Sequence, residues 1–121
     1  MEEKRVLIAG SRSFTDYNKA KEYIDFCISN IRKENKIIIV SGGARGADLL
    51  GERYAMENGF KIERYLPDWE TYGRSAGVRR NKIMVEASDY VICFWNGASK
   101  GTKSTVDFSR KLNRPLKIKT I

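Results

Sequence analysis

The chain alternates short apolar runs with longer stretches whose apolar residues recur every three to four positions, and this alternation sets the elements. Arg5 to Ala9 reads as a strand and is followed by a turn at Gly10-Ser11-Arg12-Ser13-Phe14. Thr15 or Asp16 is placed to cap a helix running to about Lys33, in which Ala20, Tyr23, Ile24, Cys27, Ile28 and Ile31 form one continuous stripe. Lys36 to Val40 is a β-branched, apolar second strand. Ala47 to Asn58 is a second helix with Ala47, Leu50, Tyr54 and Ala55 inward, stopped at Asn58-Gly59. A third strand is expected at about Phe60 to Leu66, then a polar loop from Pro67 to Ser75. The third helix, Ala76 to Ala87, carries the stripe Ala76, Arg80, Ile83, Met84 and Ala87, in which Arg80 is a cation on an otherwise apolar face. Tyr90 to Trp95 is apolar throughout, as in a central strand covered on both faces. After the loop Asn96 to Gly101, a fourth helix spans about Thr102 to Leu112. Asn113-Arg114-Pro115 ends it, and Leu116 to Ile118 is a short edge strand.

This order, strand and helix in turn, predicts an α/β three-layer sandwich: about five mostly parallel strands with helices on both faces. No repeat, linker or low-complexity stretch divides the 121 residues, so 1–121 is read as a single domain. In such folds ligands sit at the carboxyl ends of the strands, where the strand order reverses.

That edge holds the candidate chemistry. The turns after strands one, two and four pair small residues with a cation: Gly10, Ser11, Arg12 and Ser13; Gly42, Gly43, Ala44, Arg45 and Gly46; and Asn96, Gly97, Lys100, Gly101 and Thr102. Glycines permit close backbone approach, and the N-terminus of a helix carries about half a positive charge, so a strand that breaks into glycines and restarts as a helix suits a phosphate. Ser11, Ser13, Ser41 and Thr102 offer hydroxyls. Arg80, with Asn81 beside it, stands early in the third helix, where a guanidinium fork reaches the same crevice. Arg79 is read as solvated. Asp48 either completes the dipole of the second helix or accepts a ligand hydroxyl. Trp69, Tyr72 and Trp95 are candidates for stacking a base. Trp95 is equally read as core, and Trp69 or Tyr72 as covering either a ligand or a subunit interface. The glycine spacing matches neither the dinucleotide fingerprint nor a P-loop, which argues against ATP hydrolysis of the P-loop kind.

Charge and composition narrow the field. The formal net charge is +8, and Lys100 to Ile121 holds seven Lys/Arg against one acid, Asp107, which favours anionic partners or a solvated basic face. The chain has no histidine, which excludes Ser–His, Cys–His and His-based zinc chemistry, and no metal or cofactor is expected. Cys27 and Cys93 lie in apolar segments and read as buried free thiols of a cytoplasmic protein; no apolar run is long enough for a membrane span, and the charged start is not a signal peptide.

Gly10-Ser11-Arg12, Ser41-Gly42-Gly43-Ala44-Arg45-Gly46-Ala47-Asp48, Arg80-Asn81-Lys82-Ile83-Met84 and Gly101-Thr102 together resemble the SLOG superfamily, and within it the small YspA-type proteins of bacteria and their phages. The resemblance covers nearly the whole chain. It implies a Rossmann-like fold and ligands that are nucleotides or ADP-ribose-like molecules. It also implies relatives among the lonely-guy phosphoribohydrolases and the DprA proteins, and frequent pairing into homo-oligomers, dimers or larger. The lonely-guy helix motif Arg-Lys-x-x-Met is partly kept in Arg80 and Met84. The loop motif Pro-Gly-Gly-x-Gly-Thr-x-x-Glu keeps Gly101-Thr102, but Thr105 stands where that family has its glutamate. A threonine neither carries negative charge beside an oxocarbenium-like centre nor serves as a base at neutral pH. Asp107 lies two residues on, about 200° around the helix. The first expectation is therefore a protein that senses or sequesters a nucleotide, ADP-ribose or a cyclic nucleotide signal without the lonely-guy reaction, and no catalytic residue is assigned. An alternative is a nucleoside-monophosphate glycosidase using Asp48, Glu70 or Asp107. A further one is a single-strand nucleic-acid binder.

Overall fold

The computed structural model describes residues 1–121. Its strands are β1 (Glu2–Gly10), β2 (Asn35–Ser41), β3 (Lys61–Arg64), β4 (Tyr90–Trp95) and β5 (Leu116–Thr120). They form one sheet in the order β3-β2-β1-β4-β5, with every neighbouring pair parallel. The helices are α1 (Tyr17–Ile28), α2 (Ile31–Glu34), α3 (Ala47–Asn58), α4 (Trp69–Tyr72), α5 (Ala76–Ala87) and α6 (Lys100–Lys111). The chain winds outward from β1 to β3, then returns past β1 to β4, so the order reverses between β1 and β4.

Strand periodicity splits the core into two halves. Val6, Ile8, Ile37, Ile39, Ile92 and Phe94 face α1 and α3, with Phe14 stacked on Phe94 at 4.9 Å between ring centroids. Leu7, Ala9, Val40, Val91 and Cys93 face the other way, towards Met84 and Val85 of α5 and Val106 of α6. Alternation of this kind on central strands is what a sheet covered on both faces requires. The fold is thus the expected α/β, Rossmann-like sandwich, and the sheet is wholly rather than mostly parallel.

Local signals hold where backbone chemistry dictates them. The Asp16 side chain caps α1 by accepting from the Lys19 amide at 3.1 Å, and Gly59 ends α3 in the left-handed region at φ 68°. Several elements differ from the expectation. The first helix stops at Ile28 instead of Lys33, because the chain turns at Ser29-Asn30 into the separate α2, whose end is closed by Asn35 donating to the Ile31 carbonyl at 2.9 Å. The third strand is shorter at both ends. The segment expected as a loop contains α4, capped by Asp68, and a 3-10 turn at Gly73–Ser75. In α5 the inward residues are Ala76, Asn81, Met84 and Val85, while Ile83 is exposed. The helix is rotated because Asn81 is satisfied at the start of α6, donating to the Gly101 carbonyl at 3.3 Å and to Ser104 Oγ at 2.8 Å. No helix is long and apolar enough to cross a membrane.

Candidate functional site

A cleft of about 710 Å³ opens at the carboxyl edge of the sheet, beside the β1/β4 reversal. Its wall contains residues from all three glycine-bearing turns: Gly10, Ser11, Arg12 and Ser13 after β1; Ala44 and Arg45 after β2; and Asn96, Ser99, Gly101 and Thr102 after β4. Thr15 ahead of α1, Asp48 of α3, Arg80 and Asn81 of α5, and Thr105 of α6 complete its polar lining.

The turns are packed against one another through bare backbone. A Cβ on Gly10 would collide with the Phe94 carbonyl, and one on Gly46 with the Arg12 carbonyl; Gly46 also has φ +82°. The amide of Ser11 donates to the Phe94 carbonyl at 2.9 Å, and the Ser11 carbonyl accepts from the Ala47 amide at 3.2 Å. The first turn thereby ties the end of β4 to the start of α3. Gly42 lies between two functional groups: a Cβ there would stand 2.8 Å from Asp48 Oδ2 and 2.9 Å from Arg80 Nη1.

The geometry alters the expected phosphate cradle after β2. Two of its amides are not bare. Gly43 N–H donates to Ser41 Oγ at 3.0 Å, and Ala44 N–H donates to Asp48 Oδ2 at 3.2 Å. The Ser41 hydroxyl is fully buried and donates to Glu52 at 2.7 Å; Glu52 also takes Arg64 Nε at 3.0 Å. Burial would raise the Glu52 pKa, but the hydrogen bonds from Arg64 and Ser41 outweigh it and hold the carboxyl below its ordinary value. Ser41 is therefore a strut beneath the cleft rather than a donor into it. Gly42, Gly43 and Gly46 likewise act as packing glycines and do not line the cleft, and neither do Gly97 and Lys100. After β4, Asn96 turns its side chain back to accept from the amides of Ala98 and Ser99 at 2.9 and 3.0 Å, and Ser99 caps α6.

Arg80 is half-buried and braced. Its Nη1 donates to the Gly42 carbonyl at 2.9 Å and the Tyr65 carbonyl at 3.3 Å, and its Nε donates to Asn81 at 2.9 Å. No carboxylate lies within ion-pair distance of it, nor of Arg12 and Arg45, which are exposed on the cleft wall. Burial pulls the Arg80 guanidinium below its ordinary pKa against the attraction of Asp48, with Arg12 adding to the pull.

Two lining groups stand out as incompletely satisfied. Ser11 is 2% exposed and its hydroxyl has no hydrogen-bond partner. Asp48 is 7% exposed and is the one carboxylate in the wall. Burial pushes its pKa up to about 6, against the Ala44 amide and the nearby Arg80 and Arg12 charges, with Glu52 adding to the rise.

The aromatic candidates lie elsewhere. Trp69 and Tyr72 are exposed on α4, outside the cleft, and Arg79 lies over the Tyr72 ring at 4.4 Å. Trp95 packs on the α5/α6 half of the core and donates to the Ser99 carbonyl at 3.1 Å, so it fixes the loop ahead of α6. Glu70 and Asp107 are exposed and also outside the cleft. Ala9, Thr15, Met84 and Ser99 line it without being expected as ligand contacts from the sequence, which offers Met84 as part of the helix motif and Thr15 as a cap; the N-cap residue type at Ser99 was the one further clue. Cys93 is buried, whereas Cys27 is half-buried, and both are free thiols.

The sequence model of the YspA, cpYpsA-related SLOG family matches residues 4–72, which include most of β1, all of β2 and β3, and Asp48, but not Arg80 or Thr105. The Gene 61 protein of Mycobacterium phage D29 is 35% identical over 119 residues, covering 93% of this chain and 94% of that protein. Among solved structures, DNA processing protein A from Helicobacter pylori, described for its single-stranded DNA binding mode, superposes with a TM-score of 0.71 at 22% identity; the match covers 95% of this chain and 64% of that one. DNA processing protein A (DprA) from Streptococcus pneumoniae gives a TM-score of 0.73 at 18% identity over 97% of this chain and 50% of its own. This chain thus spans between half and two thirds of those two structures, and the likeness is one of fold.

Proposed function

Since the chain belongs to the YspA, cpYpsA-related SLOG family, we propose that it binds a nucleotide or nucleotide-derived ligand, of the size of a mononucleotide or ADP-ribose, in the cleft at the β1/β4 reversal. The observation that carries this reading is the convergence of three turns on one hollow whose cations, Arg12, Arg45 and Arg80, have no carboxylate partner. An anionic ligand supplies the missing counter-charge, and the first-turn amide of Gly101 at the start of α6 adds a donor, that of Thr102 being taken by the Ser99 cap. The lonely-guy reaction is not part of the proposal: Thr105, at the position of that family's glutamate, lines the cleft with a side chain that neither ionises nor accepts a proton at neutral pH. The role is recognition, as in a sensor or a sequestering protein of a bacterium or phage.

Calorimetry with 5′-mononucleotides, ADP-ribose and cyclic nucleotides tests it. At least one is expected to bind, and Arg12→Ala is expected to weaken it at least about tenfold, the worth of one charge-assisted hydrogen bond to phosphate. No heat with any of them at millimolar concentration would overturn the reading.

A second reading, single-stranded nucleic acid, is supported by the fold shared with the DNA processing proteins and by the +8 charge. A strand contacting several phosphates loses affinity with salt at a log–log slope of about −0.7 per contact, whereas a compact nucleotide site shows a slope near that of one or two contacts. A third, glycosidase chemistry, rests on Asp48 alone, since Glu70 and Asp107 are outside the cleft.

The proposal includes a homo-oligomer. Leu66, Trp69, Tyr72 and Ile83 are between 46% and 72% exposed around α4 and the outer side of α5, large apolar side chains of the kind that a subunit interface covers. Sedimentation velocity is expected to show a dimer or larger that Trp69→Glu dissociates; a monomer at all concentrations would remove this part.

A further inference from the structure

The cleft wall is not uniformly cationic, and its one acid stands where a phosphate was expected. Asp48 sits in the first turn of α3, nine-tenths buried, with Oδ2 taken by the Ala44 amide at 3.2 Å. Its second oxygen, Oδ1, has no hydrogen-bond partner in the protein although the residue lines the cleft. A carboxylate in that state is acceptor-only and calls for a donor. It also repels a phosphate placed against it. Two amides of that turn, Gly43 and Ala44, are already spent on Ser41 and Asp48. Beside it, the Ser11 hydroxyl is buried and unpaired, a second polar group in the wall that lacks a protein partner. The free cations Arg12 and Arg45 and the start of α6 remain for the anion.

Resting on the proposed nucleotide site, we infer that Asp48 is its specificity residue: it accepts the hydroxyls of a ribose, so that the cleft takes ribonucleotides and discriminates against 2′-deoxyribonucleotides and DNA. The ligand then spans the cleft with its phosphate towards Arg12, Arg45 and the start of α6, and its sugar over Asp48. A site built to hold a hydroxyl rejects the analogue that lacks it, because the buried acceptor is left unpaired. Gly42 fits this division. It keeps a side chain out of the space between Asp48 and Arg80, where a Cβ would come within 3.0 Å of both.

The test uses AMP, 2′-deoxy-AMP, ribose 5-phosphate and 2-deoxyribose 5-phosphate, the last two being free of any base. For the wild-type chain each ribose compound is expected to bind at least about tenfold more tightly than its deoxy counterpart, as a hydrogen bond to a charged acceptor implies. In Asp48→Ala the ratio is expected to fall towards one, and in Asp48→Asn, which keeps a neutral acceptor, part of the way, while thermal unfolding shows both variants to be folded. A merely structural role would shift the affinities together and leave the ratio unchanged. Equal binding of ribose and deoxyribose compounds by the wild type, or a ratio that survives in both variants, overturns the inference. If in that case Arg12→Ala still weakens all four, the nucleotide site stands without it. If none of the four binds at about 10 mM, the assignment of Asp48 falls together with the mononucleotide site.

Discussion

Asp48 holds a charge that the fold only partly compensates, and this has a measurable consequence for stability. Its carboxyl titrates near 6 in the folded chain against 3.8 as the ordinary value, chiefly because it is buried. Between pH 4 and 6 the folded state therefore keeps a proton that the unfolded state has lost, and stability contributed at this position declines as pH rises through that window. The full penalty, about 3 kcal/mol, is present above pH 6. Asp48→Asn is expected to match wild type below pH 4 and to gain up to this amount by pH 7, as read from urea unfolding at the two pH values. A variant no more stable than wild type at pH 7 would show that the carboxylate is compensated after all. A residue that destabilises its own fold while facing a cleft fits a functional role better than a structural one. At this scale the sequence identified Asp48, Arg12 and Arg80 as candidates. It did not distinguish Ser41 from Ser11, because which hydroxyl meets Glu52 and which meets nothing depends on the packing of α3 against β2.

At the scale of elements, the glycine turns act as joints between neighbouring strand ends. Gly46 shows this most clearly: its φ is +82° and a Cβ would press on the Arg12 carbonyl. Gly46→Ala is expected to cost about 2 kcal/mol through left-handed strain and the forced separation of the turns after β1 and β2. Chemical denaturation checks this; an unchanged midpoint would mean that the two turns are not held in register by this contact. The elements themselves were legible because central strands are continuous apolar runs and because Asp16 and Gly59 cap their helices through local chemistry. The misread rotation of α5 has a tertiary cause. A stripe drawn through Ile83 is apolar by sequence, yet Asn81 takes the inward place because Gly101 and Ser104 satisfy its amide from another helix. Periodicity does not reveal such a partner. For the same reason periodicity does not decide between the alternatives open for the aromatics: Trp95 takes the core alternative, its indole donating to the Ser99 carbonyl, and α4 carries Trp69 and Tyr72 outside the cleft, which leaves them the interface alternative.

For the whole molecule, the central point is that segments distant in sequence share one edge of a parallel sheet, and that this edge gathers cations, hydroxyls and a single acid around one hollow. Parallel winding places every strand-to-helix turn at the same end, so the convergence follows from topology once the strand order is set. Nuclear magnetic resonance of the backbone amides during titration with AMP tests this most directly. The account predicts that the shifts concentrate at Gly10 to Ser13, Ala44 to Asp48, Arg80 and Asn81, and Ser99 to Thr102, saturating together with one dissociation constant. Shifts confined to α4 and the outer side of α5, or spread over the basic surface without saturation, would contradict it.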